Sequence, residues 1–303
     1  MRILLSIFSN DILPIFLAAG AGFLAGKIFK INTQSVSDVA FHVFGPCMIF
    51  SILTTSPLAN QDIAKMIIFS IVSIFLLGGV TWIFGKLLKL NRKILAAVLL
   101  IAMFGNVGNF GLSLNLFAFG EEALAFASIY FVISSILMYS LGVVIASSGR
   151  NNIKTAALGL VKLPASYAVI FSLIYNVIDW HLPLHLERTI TILADGAIPT
   201  LMIVFGMQLS KIKLKGQHSN LAFAAIMRLI TGPAIALVVS LIIGLSKTAH
   251  QAGISQSGMP TAVMITILAI KYDLEPSFVT AGVLITTILS PLTITPLLAF
   301  LGA

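Results

Sequence analysis

Apolar runs, each near the ~20 residues that a helix needs to cross a bilayer core, follow one another along almost the whole chain, parted by short charge-bearing turns. No other feature constrains the fold as much. Hydrophobic residues fill 58% of the 303 positions and charged ones only 9%, against roughly 45–50% and 25% in soluble domains. So few charges cannot cover a water-facing surface. The chain is therefore expected to be an all-α integral membrane protein with lipid as its solvent.

Ten transmembrane spans can be marked: 9–29, 36–56, 64–88, 94–118, 123–147, 157–178, 189–210, 220–245, 251–271 and 277–301. The opening stretch superficially resembles a signal peptide, but Asn10 and Asp11 interrupt it and many spans follow, so it reads as the lead-in to the first span. An even span number puts both termini on one side. The loops after odd-numbered spans hold thirteen basic residues: Lys27, Lys30, Lys86, Lys89, Arg92, Lys93, Arg150, Lys154, Lys162, Lys211, Lys213, Lys215 and Lys271. The other side holds Arg2, Lys65, Arg188 and Lys247, while Arg228 lies inside the eighth span. By the positive-inside rule the termini face away from the cytoplasm. The formal charge of +8 thus reports insertion; nucleic-acid binding would place basic residues and aromatics on a polar surface. Cys47 is the only cysteine, which excludes an intrachain disulfide.

Five spans in each half force the second half to insert upside down, giving a 5+5 inverted repeat of residues 1–150 and 151–303. Matched features support this. His42 precedes Pro46 by four residues in the second span, and Asp195 precedes Pro199 by four in the seventh. Gly105-Asn106-Val107-Gly108-Asn109-Phe110-Gly111 interrupts the fourth span, and Gln256-Ser257-Gly258-Met259-Pro260-Thr261 interrupts the ninth. Unpaired backbone groups in hydrocarbon cost several kcal/mol, so such breaks are tolerated only where protein or a water-filled cavity satisfies them.

Paired breaks point to a transporter's binding site, and the helix starts behind them favour an anion. The expected substrate-binding set is Asn106, Gly108, Asn109, Gln256, Ser257, Gly258 and Pro260. Small residues that merely let helices pack closely are the competing reading. His42, Pro46, Asp195, Pro199 and Arg228 form the coupling or gating set, because ionisable residues inside spans are costly to bury. Asp195 either carries a coupling proton, with His42 as its counterpart, or both satisfy polar groups near the prolines. From about eight residues into its span, Arg228 can reach toward the membrane boundary, so a structural or lipid-facing role stands beside a functional one. Asp38 is expected at the interface.

His181 and His185 have metal-pair spacing, but Pro183 between them disfavours a shared helical face, and no metal is expected. Glu121 and Glu122 lie at an outer loop, away from any convergent acid, base or nucleophile set. Without a Walker loop or nucleophile elbow, neither an enzyme nor an ATP-driven pump is expected.

At the breaks the sequence resembles the auxin efflux carrier family. Bacterial members commonly carry Gly-Asn-x-Gly-Asn-x-Gly-Leu-Pro in the fourth span; here Gly105, Asn106, Gly108, Asn109, Gly111 and Leu112 match, with Ser113 in place of the proline. The Gly258–Ala262 run is similar to the second break, and Thr286-Thr287, Pro291-Leu292-Thr293 and Pro296-Leu297 to the final span. The resemblance implies a fold similar to the sodium/proton antiporters and bile-acid symporters. Spans one, two, six and seven would be a scaffold and the other six a transport domain with crossed broken helices. It also implies a weak organic acid as substrate, malate or malonate among them, and homodimerisation through the scaffold. With no long hydrophilic loop after span five, a bacterial inner-membrane carrier is expected. No cofactor is expected beyond a coupling H+ or Na+; a sodium-coupled solute symporter and a non-transporting sensor are the alternatives.

Overall fold

In the described residues 2–29, 31–55, 58–147, 164–178, 182–211 and 220–303 of the computed structural model, every regular element is helical. In chain order these are α1 Ile3–Ile28, α2 Thr33–Thr55, α3 Asn60–Leu87, α4 Arg92–Met103, α5 Gly111–Phe119 and α6 Glu121–Ala146. They continue with α7 Pro164–Ile178, α8 Leu184–Leu209, α9 Leu221–Ile243, α10 Lys247–Ser257, α11 Met264–Lys271 and α12 Pro276–Leu301. Among the described residues, seven helices are long and apolar enough to cross a membrane, and the protein is an integral membrane protein of multi-pass helical type.

Most apolar runs begin earlier than hydropathy suggests, because polar residues occupy the first turn: Asn60, Gln61 and Asp62 open α3, and Lys247 opens α10. Asn32 caps α2, accepting from the Gln34 and Ser35 N–H groups at 2.9 and 3.4 Å, and Asn91 caps α4 through the Ile94 N–H at 2.9 Å. Each supplies an acceptor that a helix start otherwise lacks. The first part of the expected sixth span lies outside the described residues, as do Lys30, Arg150, Lys154, His181, Lys162, Lys213 and Lys215.

Helices α1, α2, α7 and α8 pack on one another. The α1–α8 crossing brings backbones into contact: a Cβ on Gly22 would run into the Ile203 carbonyl, and one on Gly206 into the Ala19 carbonyl. Small residues allow this approach, and dispersion between closely packed helices drives association where lipid removes the hydrophobic difference. Helix α7 is tied to α2 by Asn176 Nδ2 donating to the Leu53 carbonyl at 2.9 Å and by the Phe50–Tyr175 edge contact at 5.5 Å. Helices α3, α6 and α9 pack around α4, α5 and α10, and α12 closes against α4, α9 and α11. π-helical turns fall at Ala40–Phe44, Met138–Gly142 and Met227–Thr231, which set His42, Tyr139 and Arg228 off the regular helical register.

Candidate substrate site at the paired helix breaks

Two interrupted helices meet back to back. α4 stops at Met103 and α5 starts at Gly111, while α10 stops at Ser257 and α11 starts at Met264. Between them Gly105 and Thr261 face each other as an antiparallel pair. The Asn106 N–H donates to the Pro260 carbonyl at 2.6 Å, and the Ala262 N–H to the Phe104 carbonyl at 2.9 Å. Each break thereby pairs backbone groups that the other leaves exposed.

Side chains satisfy several of the remaining carbonyls. The Arg228 guanidinium donates through Nη1 to Ala102 at 2.8 Å, through Nε to Met259 at 2.7 Å and through Nη2 to Ser257 at 2.5 Å. A fork of fixed donors suits this task, and its charge faces the negative C-terminal ends of α4 and α10. Thr261 Oγ1 donates to the Ile101 carbonyl at 3.1 Å, and Gln256 Nε2 donates to Val107 and Ala127, each at 3.1 Å. Asn115 and Ser255 join α5 to α10 through a 2.7 Å bond from Ser255 Oγ to Asn115 Oδ1. The glycines leave room for these groups: a Cβ on Gly105 would lie 2.8 Å from Arg228 Nη2, one on Gly108 2.8 Å from Phe131 Cε2, and one on Gly111 would strike Gln256 Oε1.

The first break also lines a cavity of about 720 Å³. Its other walls come from Gln34, Asp38, Phe41 and His42 of α2, Phe131 to Tyr139 of α6, Pro164 and Ala165 of α7, and Gln208 and Lys211 at the end of α8. Ala262 to Ile270 of the second break complete it. Most of these wall segments adjoin the connections after α1, α6, α8 and α11, the side with the excess of lysine and arginine. Phe41, Val107, Phe131, Met138, Ile267 and Ile270 make much of the wall apolar.

Polar groups at the cavity are partly unpaired. Asn106 and Asn109 are buried, and neither Asn106 Nδ2 nor Asn109 Oδ1 has a hydrogen-bond partner among the described residues. Asn109 Nδ2 donates to Gln208 Oε1 at 3.2 Å. Thr266 Oγ1 on the second break is likewise unpaired. His42 Nδ1 lies 3.0 Å from the Asp38 carbonyl and must donate to it, since that oxygen can only accept. A buried donor without a partner costs free energy that a bound acceptor recovers.

Of the seven residues expected to bind substrate, Asn106, Gly108 and Asn109 line the cavity. The structure sets Gln256, Ser257, Gly258 and Pro260 behind it, where the Gln256 amide and the Ser257 and Pro260 carbonyls hold the breaks together. Of the coupling set, His42 lines the cavity, whereas Pro46, Asp195 and Pro199 do not; Asp195 and Pro199 are exposed on α8. Arg228 departs from the snorkelling geometry: it is 1% exposed, its head held inside by the carbonyls of Ala102, Ser257 and Met259. Asp38, expected at the interface, contributes to the cavity wall. Gln208, Lys211 and Thr266 were not singled out by sequence; a polar residue near the end of the seventh span was the available signal for Gln208.

Helical membrane architecture and a cavity ending on two paired helix breaks define a membrane transport protein. Residues 7–298 match the family described as "Membrane transport protein". The chain belongs to that family, which includes the auxin efflux carriers. It is 25% identical over 281 residues to an uncharacterized transporter of Methanocaldococcus jannaschii, covering 88% of this chain and 91% of that protein. A candidate malonate transporter of Rhizobium meliloti is 24% identical over 299 residues, 95% of this chain and 93% of its own. Auxin efflux carrier component 1 of Arabidopsis thaliana is 28% identical over 131 residues, 41% of this chain and 21% of its own.

Proposed function

We propose that this protein is a secondary transporter that moves a small organic anion of the malonate or malate type by alternating access, its carboxylate bound at the first helix break. The observation carrying this reading is the buried, unpaired Asn106 Nδ2 at a cavity that reaches the paired breaks. A carboxylate accepts hydrogen bonds and nothing else when ionised, which suits Asn106 and the positive end of α11, whose Met264 lines the cavity. Lys211 at the cavity draws anions in without fixing their orientation.

In this reading ten crossings form a 5+5 inverted repeat, residues 1–150 and 151–303, with α4/α5 and α10/α11 as the broken pair. α1, α2, α7 and α8 are the scaffold, and the other helices move against it. The cavity opens on the lysine-rich side, which the positive-inside rule makes cytoplasmic, so the molecule is inward-facing and both termini lie outside a bacterial inner membrane. A homodimer through the scaffold belongs to the same reading. Coupling is assigned to His42, the titratable residue of the set that lines the cavity, over Asp195 on the exposed face of α8.

The test is uptake of radiolabelled malonate and malate by proteoliposomes under imposed pH, sodium and voltage gradients. Accumulation driven by one of them, and abolished by Asn109→Ala, is the expected result. Absence of uptake across a broad panel of carboxylic acids by folded protein rejects the reading; strict sodium dependence replaces proton coupling with the sodium-symporter alternative.

A further inference from the structure

Gln208 sits in the last turn of α8, on the group of helices read as the scaffold, while its hydrogen-bond partner Asn109 belongs to the broken-helix group. Aromatic rings also meet across the two groups. Phe110 lies between Phe16, edge-on at 5.7 Å, and Phe205, stacked at 5.8 Å, and Phe41 stacks on Phe131 at 6.5 Å. Ring contacts hold over a broad range of centroid separations. An amide pair at 3.2 Å is directional and specifies one register.

We propose that Gln208 is a latch: in the empty carrier it holds Asn109, and with it the broken-helix group, in the inward-facing register, and an incoming carboxylate takes the Asn109 amide from it. The inference rests on the transport reading above and adds a residue and a release step to it. Both amides line the cavity, so the ligand reaches the pair without prior opening. An ionised acceptor makes hydrogen bonds roughly twice as strong as a neutral one, so exchange of Gln208 Oε1 for a carboxylate oxygen at Asn109 is favourable. Lys211, three residues on, lines the same cavity and favours the anion's approach to the pair.

Two substitutions at this one position separate a latch from packing. Gln208→Met keeps the side chain's size and removes its acceptor; it is expected to lower the KM for radiolabelled malonate or malate about threefold or more with Vmax no higher, since nothing competes for Asn109. Gln208→Glu places a carboxylate where the substrate's should go and is expected to raise KM at least tenfold. A purely structural residue would lower Vmax in both variants and move KM in the same direction in both. That pattern overturns the proposal, as does a Gln208→Met KM within twofold of wild type. Should Gln208→Met fail to give monodisperse protein, Gln208→Leu takes its place in the same comparison. Wild-type protein that takes up neither acid defeats the transport reading and the latch together, whereas a transporting wild type with parallel shifts defeats the latch alone.

Discussion

Replacing Arg228 by Met should loosen the crossing itself. The substitution removes three donors from the carbonyls of Ala102, Ser257 and Met259 in a site where Arg228 is 1% exposed. Each buried acceptor left without a donor costs about 1–3 kcal/mol, so the gross loss is roughly 3–9 kcal/mol. Against this stands the desolvation of the guanidinium, of order several kcal/mol, which Met does not pay. With the offset near the middle of that range the net loss is about 2 kcal/mol or more, and at about 1.6 °C per kcal/mol for 303 residues the apparent Tm falls by about 3 °C or more. Fluorescence-monitored melting of detergent-purified protein reads this directly. Arg228→Lys keeps a charge but presents it at one point, and its melting temperature should lie between the two. If Arg228→Met melts within about 1 °C of wild type, the carbonyl accounting is wrong.

Other expectations follow from the same geometry. Gly111→Ala places a methyl against Gln256 Oε1 and displaces the amide that donates to Val107 and Ala127; overpacking of about 1–3 kcal/mol should appear as a lowered Tm. Gly206→Val drives a side chain into the α1 backbone at Ala19 and should part α1 from α8, with loss of folded protein on size exclusion; full recovery would mean that this crossing adapts. His42→Gln should flatten the pH dependence of uptake while Asp195→Asn leaves it intact, and the reverse pattern moves coupling to α8. Thr261→Val removes the donor to the Ile101 carbonyl and should cost about 1 kcal/mol in melting experiments.

Hydropathy and Gly–Asn clustering made the helices and their two interruptions legible in the chain, because lipid forbids unpaired backbone and thus forces breaks to coincide with special residues. What periodicity could not show was the division of labour among those residues. Gln256 is polar and lies in a break, and its Nε2 donates to two carbonyls, one in each neighbouring segment, which no local pattern shows. Arg228 is separated from its partners by 126, 29 and 31 positions, and no local rule links a cation on one helix to carbonyls on two others. Gln208 likewise meets Asn109 across 99 residues. Helix ends were misjudged where polar first turns extend an apolar run, as at Asn60 and Lys247.

The most direct test of the carboxylate site is equilibrium binding of radiolabelled malonate and malate to purified wild-type protein and to Asn106→Asp, a change of nearly equal volume that sets a negative charge beside the ligand. The account predicts saturable binding of at least one acid to wild type and at least tenfold weaker binding to the variant. Equal affinity in the two proteins would contradict it and move the anion away from the first helix break.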